Sequence, residues 1–483
     1  MKEILLTTIN AKWIHPSLAL RLLKANLGSL KDRCEILEFA LRQPLREKTE
    51  PIIAARPRIL GISVSIWNHT AVIELLKELE KTWTASQVQK PVIVLGGPEV
   101  SHLPPKAEIF NFADYVVTGE GETAFKALCE NILLCGNNIL RNGDFSGDTQ
   151  KFVVGKPVNL CDIKTAYHLY TDEDLAKKLI YAESSRGCPF NCDFCLSSIS
   201  DNKVREFPLE QFLKEMDILI NRGAKTLKFL DRTFNSNIKR AIQICEFFLD
   251  KIDERRSAGC VPFVVHFEMV PSLLTPKLCE ILTRFPPETL RLEIGFQTFN
   301  PEVAARIRLP SNQAKGLENL RILRETTNAI IHADLIAGLP GEDLESFGRG
   351  FDLLWQTLWE ETSSAKMPFL QKGRIEIQVG ILKQLPGTPI SRHNENWGMR
   401  YNHLPPYEIE ETSVLSADDL QRIKNFARFW EMITNRGLME ISGERQVFIK
   451  FMALSDKLFA YFGQNWGIDK NKLMEFLKNN IRL

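Results

Sequence analysis

The sequence predicts an α/β protein in three parts: a doubly wound parallel sheet, an incomplete barrel of parallel strands, and a small helical domain. Three observations lead to this prediction. Short apolar strands alternate with amphipathic helices through the first 130 residues. From about residue 180 a second strand–helix series begins, and its strands carry one polar face. After Pro405-Pro406 the strand pattern stops, and helical periodicity takes over.

The first series predicts a Rossmann-like (flavodoxin-like) domain over residues 1–135. Its strands are apolar on both faces, which is typical of a parallel sheet covered by helices. Ligands of such sheets bind in the loops beyond the carboxyl ends of the strands. A Gly/Asn/Asp-rich run then opens a predicted linker over residues 136–175. The predicted strands are Glu3–Thr8, Glu35–Phe39, Ile59–Val64, Val92–Leu95 and Tyr115–Thr118.

The second series predicts a partial (β/α)6 barrel of the TIM type over residues 176–404. In one strand Arg374, Glu376 and Gln378 alternate with isoleucines and valine, and three other strands repeat the pattern. A closed eight-stranded barrel fills its interior with branched apolar side chains. A polar inner face therefore indicates a wide, hydrated lumen. The six predicted strands lie near Ile180, Leu227, Val265, Leu292, Ile331 and Ile375.

The last 79 residues, 405–483, predict a helical domain. Ser416 and Asp419 form a capping box ahead of apolar residues at helical spacing. Two further helices are predicted over Val447–Phe462 and Asp469–Leu477.

Composition narrows the classes of function. Lys+Arg (61) and Asp+Glu (60) nearly balance, so no overall field favours nucleic acid or an anionic membrane. The apolar runs fall short of the ~18 residues that a spanning helix needs, and the N-terminus reads as a strand rather than a signal peptide. Ten cysteines in 483 residues are too few for a disulfide scaffold. We therefore expect a cytoplasmic protein with reduced cysteines.

Three cysteines are closely spaced in a loop after the first barrel strand: Cys188, Cys192 and Cys195. Three thiolates are too few for a closed structural zinc site. They suit an iron–sulfur cubane with one iron left open for another ligand. Two alternatives remain, a zinc site completed by His168 or another remote ligand, and ordinary buried cysteines.

This cysteine motif, with the aromatic Phe194 before its last cysteine, resembles the signature of the radical S-adenosylmethionine (SAM) superfamily. The resemblance implies a 4Fe-4S cluster on the three cysteines, SAM on the open iron, and cleavage of SAM to a 5′-deoxyadenosyl radical. The family fold is a partial barrel, in agreement with the strand count. The resemblance places SAM contacts at Phe194, Asp231, Glu268, Gln297 and Asp334. The carboxylates among these residues could instead pair with Arg291, Arg374 or His266 inside a hydrated lumen.

The loops of the first domain resemble those of the cobalamin-binding radical SAM subfamily, as in Leu95–Glu99 and Thr118–Glu122. Two glycines after an apolar strand allow the backbone to approach a large flat ligand, although a tight turn would also use them. The cobalamin contacts that the resemblance implies are Asn10, Trp13, His15, Ser65, Trp67, Gly96, Gly97, Glu99, Gly119 and Glu120.

One departure from the subfamily concerns the ligand below cobalt. The pattern Asp-x-His-x-x-Gly, whose histidine replaces the cofactor's own base, does not occur in the sequence. The lower cobalt face would then hold water, be empty, or be covered by Trp13, His15 or Trp67. His15 could equally be an ordinary helix-start residue, and Trp67 a core aromatic.

The resemblance implies a cobalamin-dependent radical SAM enzyme, first of all a methyltransferase that acts on an unactivated carbon or phosphorus. Its partners would be a small-molecule or peptide substrate and an electron donor such as flavodoxin or ferredoxin, without nucleic acid or membrane. Two alternatives stay open. One is a non-methylating reaction such as cyclisation, ring contraction or electron transfer, and the other is a non-catalytic cofactor-binding sensor.

Overall fold

The computed structural model describes residues 2–86, 88–134, 151–199, 203–310, 312–359, 374–438 and 446–480. The chain forms two compact units, Met1–Arg186 with Arg205–Leu230, and Gly187–Val204 with Asp231–Leu483. The Gly/Asn/Asp-rich run 136–148 lies outside the described residues. Within the described ranges, no helix is both long enough and apolar enough to cross a bilayer.

The first unit contains a six-stranded parallel sheet of order β2-β1-β3-β4-β5-β6. All five strands predicted for this domain are present. The sixth strand lies in the stretch predicted as a linker and extends the edge of the sheet beside β5. The strands are β1 (Ile4–Asn10), β2 (Cys34–Ala40), β3 (Ile59–Ser63), β4 (Val92–Gly96), β5 (Tyr115–Gly119) and β6 (Phe152–Gly155).

Four helices cover this sheet, two on each face, which is why its strands are apolar on both faces. On one face Leu60 packs with Val72 and Leu75 of the third helix. On the other face Leu6 packs with Leu20 and Phe125 of the first and fourth helices. The helices are α1 (Leu18–Ala25), α2 (Leu45–Ala55), α3 (His69–Ser86) and α4 (Gly121–Leu134).

The first unit also includes the first two strands predicted for the barrel. These are β7 (Ile180–Ala182) and β10 (Thr226–Phe229), which pair in parallel. Between them a short antiparallel pair flanks the segment that contains the cysteines. The remaining elements are α5 (Asp172–Lys177), β8 (Ser185–Arg186), β9 (Arg205–Glu206) and α6 (Leu209–Asn221).

The second unit contains the other four barrel strands, each paired in parallel with the next along the chain. Helices separate successive strands, as the sequence predicts for βα units. The strands are β11 (Val264–Met269), β12 (Leu290–Gln297), β13 (Ile330–Ala337) and β14 (Ile375–Ile381). The helices are α7 (Ile238–Ser257), α8 (Pro276–Thr283), α9 (Pro301–Arg306), α10 (Gln313–Thr326) and α11 (Leu344–Trp359).

Alternation along these four strands follows the predicted register. Ile294, Ile331 and Ile377 are at most 2% exposed, whereas the polar residues between them are mostly half-buried. We call the second set the polar face, and the prediction of an inward polar register is confirmed. The polar face consists of His266, Glu268, Arg291, Glu293, Gln297, His332, Asp334, Glu376 and Gln378.

The C-terminal helices pack on α11 rather than forming an isolated domain. The ring of Phe351 in α11 lies 5.0 Å from that of Phe426 and 4.9 Å from that of Trp430. Ser416 is the N-cap as predicted, since the Asp419 N–H donates to Ser416 Oγ over 3.1 Å, and the Ser416 hydroxyl donates to Asp419 Oδ2 over 2.8 Å. The elements are β15 (Arg400–Tyr401), β16 (Ile409–Glu411), α12 (Ala417–Trp430), α13 (Val447–Phe462) and α14 (Lys470–Asn480).

Candidate functional site

The cysteine motif lies in an irregular loop of the second unit. Gly187 opens this loop with φ +96°, and a Cβ there would stand 2.1 Å from Lys203 O, so the position requires glycine. The loop then turns, with the Cys195 N–H donating to Cys192 O over 3.0 Å. All three cysteine side chains are partly exposed.

The cysteine thiols are close enough to influence one another. Burial, followed by the charges of Cys195 and Cys188, raises the pKa of Cys192 to about 12. Three adjacent thiolates therefore need a cation, and a bound metal centre supplies one. The donor set is all sulfur, which fits an iron–sulfur cluster.

Among the described residues, no group of three His, Cys, Asp or Glu side chains is arranged to hold a metal ion by itself. A cubane does not require that arrangement, because each cysteine ligates a different iron. His168, the alternative zinc ligand, has its Nε2 atom 2.9 Å from Lys31 Nζ in the first unit.

Three of the predicted SAM contacts lie on the polar face of adjacent strands. Asp334 is level with Gly295 and Gln378 in the strand register, and Glu268 is level with Glu293. Gln297 ends β12 with φ +66°, in the left-handed region that a non-glycine residue rarely adopts. Such outliers cluster at functional sites.

The other two predicted SAM contacts lie in loops of the same unit. Asp231 is buried, and Phe194 in the cysteine loop is half-buried. Arg232 follows Asp231, and its Nη1 atom lies 3.9 Å from Glu268 Oε2.

In the register layer that Glu268 shares with Glu293, His332 and Glu376, histidines pair with carboxylates. His266 Nε2 lies 3.2 Å from Glu293 Oε2, and His332 Nδ1 lies 3.3 Å from Glu376 Oε2. Burial raises the pKa of Glu376, although Arg374 opposes the shift. The alternative that lumen residues pair with one another thus applies to this layer of the face.

In the first unit, a cavity of about 420 Å³ opens at the carboxyl edge of the six-stranded sheet. Leucines of β1 and α1 and Phe125 of α4 form its apolar wall. Four of the predicted cobalamin contacts line it: Gly96, Gly97, Gly119 and Glu120. This is the edge at which doubly wound sheets bind ligands, and the size is typical of a cofactor site.

The two glycines at the carboxyl end of β4, Gly96 and Gly97, have different roles. Gly97 has φ +104°, and its Cβ would stand 2.5 Å from Val64 O, so the turn itself requires glycine. At Gly96 the nearest atom to an added Cβ would be Val117 O at 3.5 Å, an ordinary contact. Gly97 therefore fits the tight-turn alternative, and Gly96 fits close approach of a ligand.

A charged cluster borders this cavity. Arg186 contacts Glu122 at 2.6 Å, Glu183 at 3.1 Å and Glu120 at 3.4 Å. Burial alone would raise the pKa of Glu120, but hydrogen bonds from Arg205 and the Val158 N–H lower it overall. The ionised Glu120 and the buried Arg186 thus form a fixed polar rim.

The remaining predicted cobalamin contacts are not among the described residues that line the cavity. Glu99 is buried against His69, with 2.7 Å between Oε1 and Nδ1. Asn10 donates to Glu38 over 3.2 Å, and the Ser65 N–H donates to Asn68 over 2.8 Å. The side chains of Glu99 and Asn10 and the backbone of Ser65 thus make contacts within the protein.

The three candidates for the lower cobalt face lie in loops of the first unit. His15 Nδ1 is 2.8 Å from the Tyr181 hydroxyl, and burial, with Lys12 and Lys228, lowers the pKa of His15. Trp13 and Trp67 are 48% and 51% exposed. Trp67 is therefore not the core aromatic that one interpretation predicts.

Sequence reasoning missed several residues of these sites. Glu122 ends the predicted loop motif Thr118–Glu122, and Arg186 directly precedes the cysteine loop. Their pairing across 64 residues depends on the fold. Asp193 within the cysteine motif is fully buried, and Glu342 after β13 is a buried carboxyl. An aspartate between two cysteines is a local signal that could have been noticed.

Comparisons with known proteins agree with this architecture. The B12 binding domain model matches residues 4–129, and the radical SAM superfamily model matches residues 182–354. The chain is 32% identical over 179 residues to an uncharacterized methyltransferase of Pyrococcus horikoshii, PH0819. That match covers 34% of this chain and 39% of the relative. The chain spans half or less of the length of the curated relatives that it matches.

Two solved structures share the fold at low identity. One is the radical SAM methyltransferase TsrM from Kitasatospora setae, with TM-score 0.60 and 17% identity over 86% of this chain and 80% of that chain. The other is the cobalamin-dependent SAM radical enzyme OxsB, with TM-score 0.66 and 15% identity over 99% and 75%. The chain thus contains a B12 binding domain followed by a radical SAM domain.

Proposed function

We propose that this chain is a cobalamin-dependent radical SAM enzyme that methylates an unactivated carbon or phosphorus. The observation that carries the proposal is the partly exposed loop in which Cys188, Cys192 and Cys195 lie together around a turn closed by the Cys195 N–H and Cys192 O. A glycine-edged cavity in the B12-binding domain of the same chain supports the cobalamin part. Both PH0819 and TsrM are named methyltransferases, and this supports the reaction.

Different residues would bind each of the three ligands: the iron–sulfur cluster, SAM and cobalamin. When bound, the cluster and SAM supply a 5′-deoxyadenosyl radical, and cobalamin supplies the methyl group. Cys188, Cys192 and Cys195 would hold three irons and leave the fourth open. Glu268 and Asp334 offer carboxylates for the ammonium and the ribose hydroxyls of SAM.

The cavity of the first unit would hold part of the cobalamin. Its leucine and phenylalanine wall suits an apolar portion of the cofactor. Gly96 leaves space for the ligand at the strand end. The rim formed by Arg186 and Glu120 offers a donor and an acceptor to the amide groups at the edge of the cofactor.

The partners follow from this chemistry. A reductant such as flavodoxin or ferredoxin would supply electrons to the cluster, and a reducing compartment such as the cytoplasm would preserve it. The substrate would be a small molecule or a peptide. The balanced charge of the chain supports neither nucleic acid nor a membrane surface as a partner.

A non-methylating reaction is the second candidate. OxsB aligns with 99% of this chain and is described as a cobalamin-dependent SAM radical enzyme, a wider class than the methyltransferases. Cyclisation, ring contraction and electron transfer belong to this candidate. A non-catalytic sensor would keep the same cofactor sites without turnover.

Anaerobic protein loaded with iron, sulfide and hydroxocobalamin tests the proposal. Reductant and SAM with a labelled methyl group are added, and the products are separated. We expect 5′-deoxyadenosine, together with S-adenosylhomocysteine and label on the cobalamin. 5′-Deoxyadenosine alone would favour the non-methylating candidate, and neither product would favour the sensor.

A matched pair of variants controls this experiment. Replacing Cys188, Cys192 and Cys195 by Ala should remove 5′-deoxyadenosine formation while the bound cobalamin remains. Cys260→Ala, at an exposed cysteine of the same unit, should leave every product unchanged.

A further inference from the structure

We infer that Asp193 is a positioning residue that anchors the cysteine loop to a cationic cluster formed by Arg308, Arg392 and His393. We call these four side chains the Asp193 anchor. The inference rests on the proposed function only for the cluster that the loop would hold. The anchor itself is a property of the metal-free chain and can be tested there.

The contacts of Asp193 involve both of its carboxylate oxygens. Its side chain is 0% exposed. Arg308 Nε donates to Oδ1 over 2.7 Å, and its Nη2 atom also lies 2.7 Å from the same oxygen. Arg392 Nη2 lies 2.7 Å and His393 Nε2 lies 2.8 Å from Oδ2. Hydrogen bonds between charged groups are shorter and stronger than those between neutral groups.

Backbone bonds fix the same residue from both sides. The Asp193 N–H donates to Ile307 O over 3.0 Å, and the Ile390 N–H donates to Asp193 O over 2.9 Å. The loop is thereby joined to segments 115 and 200 residues further along the chain. One of these segments follows α9, and the other follows Pro386-Gly387-Thr388-Pro389.

The geometry of Arg308 indicates that the contact is specific. Arg308 has φ +54°, a left-handed conformation that is unfavourable for a residue with a Cβ. The chain retains it where the guanidinium meets Asp193. A lysine would keep the positive charge but could not present the planar edge of the guanidinium to Oδ1, so Arg and Lys are not equivalent here.

The position of Asp193 in the motif connects the anchor to the cluster. Asp193 directly follows Cys192, and Phe194 alone separates it from Cys195. Fixing its backbone and side chain therefore fixes the turn in which Cys195 N–H donates to Cys192 O. Supporting contacts of this kind hold metal ligands in position and commonly affect metal retention strongly.

Removing the carboxylate charge should release the loop. Asp193→Asn keeps the size of the side chain but removes the buried anion that Arg308, Arg392 and His393 share. Asp250→Asn is the matched control, since Asp250 is exposed on α7 of the same unit. Arg308→Lys is a second variant that keeps the charge and removes the planar guanidinium.

Amide hydrogen exchange of the metal-free chain tests the anchor directly. We expect peptides covering residues 187–199 and 389–394 to exchange at least tenfold faster in Asp193→Asn and Arg308→Lys than in wild type, with helices α12 and α13 unchanged. Asp250→Asn should match wild type. Wild-type exchange rates in the 187–199 peptides of both anchor variants would overturn the inference. Faster exchange throughout the second unit would overturn it as well.

Iron retention tests the consequence for the cluster. After anaerobic loading, Asp193→Asn should lose iron to a chelator at least tenfold faster than wild type. The double variant Asp193→Asn/Arg308→Gln leaves fewer unpaired charges and should regain part of the retention. If the double variant lost iron as fast as the summed effects of Asp193→Asn and Arg308→Gln measured singly, the result would contradict a charge-based anchor. If the wild-type protein took up no iron and sulfide, the proposed function would be refuted instead. Amide hydrogen exchange of the metal-free chain would still test the anchor.

Discussion

The sheet of the first unit and strands β11–β14 of the second unit use the same strand–helix repeat but present different faces. Every residue of β1 is buried, with apolar helices on both sides of its sheet. In β12 and β13 every second residue is at least partly exposed, and five of these eight are polar: Arg291, Glu293, Gln297, His332 and Asp334. A ligand can therefore reach the first sheet only at its loop edge, whereas the polar face can contact a ligand along the strands.

Physical chemistry explains why the two patterns cannot be exchanged. A slip of one residue in β11–β14 would turn the charged side chains into the helix layer. Each buried unpaired charge would cost several kcal/mol even after relaxation. Apart from the edge strand β2, the strands of the first sheet have no charged side chains, so glycines and loops shape its site. The difference shows that the side-chain alternation determines where each cofactor can be placed.

The largest expected effect comes from reversing this alternation in β14. Ile377 is 2% exposed among the helices, so Ile377→Glu should lower the free energy of unfolding by about 4 kcal/mol or more. Gln378→Glu, on the exposed polar face next to it, should change it by less than about 1 kcal/mol. Denaturant unfolding measures both. A stable Ile377→Glu protein would show that the register is reversed.

The next effect concerns the buried carboxyl Glu342, which differs from the carboxylates of the polar face. Burial raises the pKa of Glu342 from 4.5 to about 7, although Thr298 donates to it over 2.5 Å. The unfolded chain ionises this group first, so stability should fall as pH rises from about 4.5 to 7 and then level off, by roughly 3 kcal/mol in total. Glu342→Gln should remove that loss and be more stable than wild type at pH 8.

Thermal unfolding at pH 4.5 and pH 8 measures this difference. The two proteins should be similar at the lower pH, where Glu342 is protonated in the folded state and only half ionised in the unfolded state. If Glu342→Gln retained the wild-type pH slope, the carboxyl would not be a buried, protonated group.

A smaller effect separates the two glycines at the edge of the first sheet. Gly97→Ala places a Cβ 2.5 Å from Val64 O at φ +104°, and should cost about 1–3 kcal/mol of stability. Gly96→Ala meets nothing closer than 3.5 Å, so the fold should keep its stability. We expect Gly96→Ala to bind less cobalamin per chain instead. Equal stability of the two variants would mean that the turn does not depend on Gly97.

The smallest expected effect tests the polar face as a SAM site. Glu268→Ala and Asp334→Ala should each weaken SAM binding about tenfold, near 1.4 kcal/mol, with the cluster retained. Glu246→Ala, at an exposed position of α7, serves as the control. Equilibrium binding of SAM to the iron-loaded proteins gives the affinities. Wild-type affinity in both variants would remove these carboxylates from the SAM site.

The predictable features of this molecule are local in the chain. The cysteine spacing, the alternation in β11–β14 and the Ser416 cap each lie within a few residues, and the structure agrees with them. The strand β6 was missed because Phe152–Gly155 is four residues long and follows a run without periodicity.

The unpredicted features depend on contacts that only the folded chain forms. Asp193 and His393 are 200 residues apart, and Arg186 and Glu122 are 64 apart. No period or motif links such pairs. The raised pKa of Glu342 likewise follows from burial after β13, which the sequence does not encode as a pattern.

The most direct test of the account is the metal and sulfide content of anaerobically prepared protein, read together with electron paramagnetic resonance of the reduced sample with and without SAM. We predict about four iron and four sulfide per chain, a cluster spectrum that changes when SAM is added, and loss of both in the variant with Cys188, Cys192 and Cys195 replaced by Ala. One zinc ion per chain without sulfide, or a cluster that survives those three substitutions, would contradict the account.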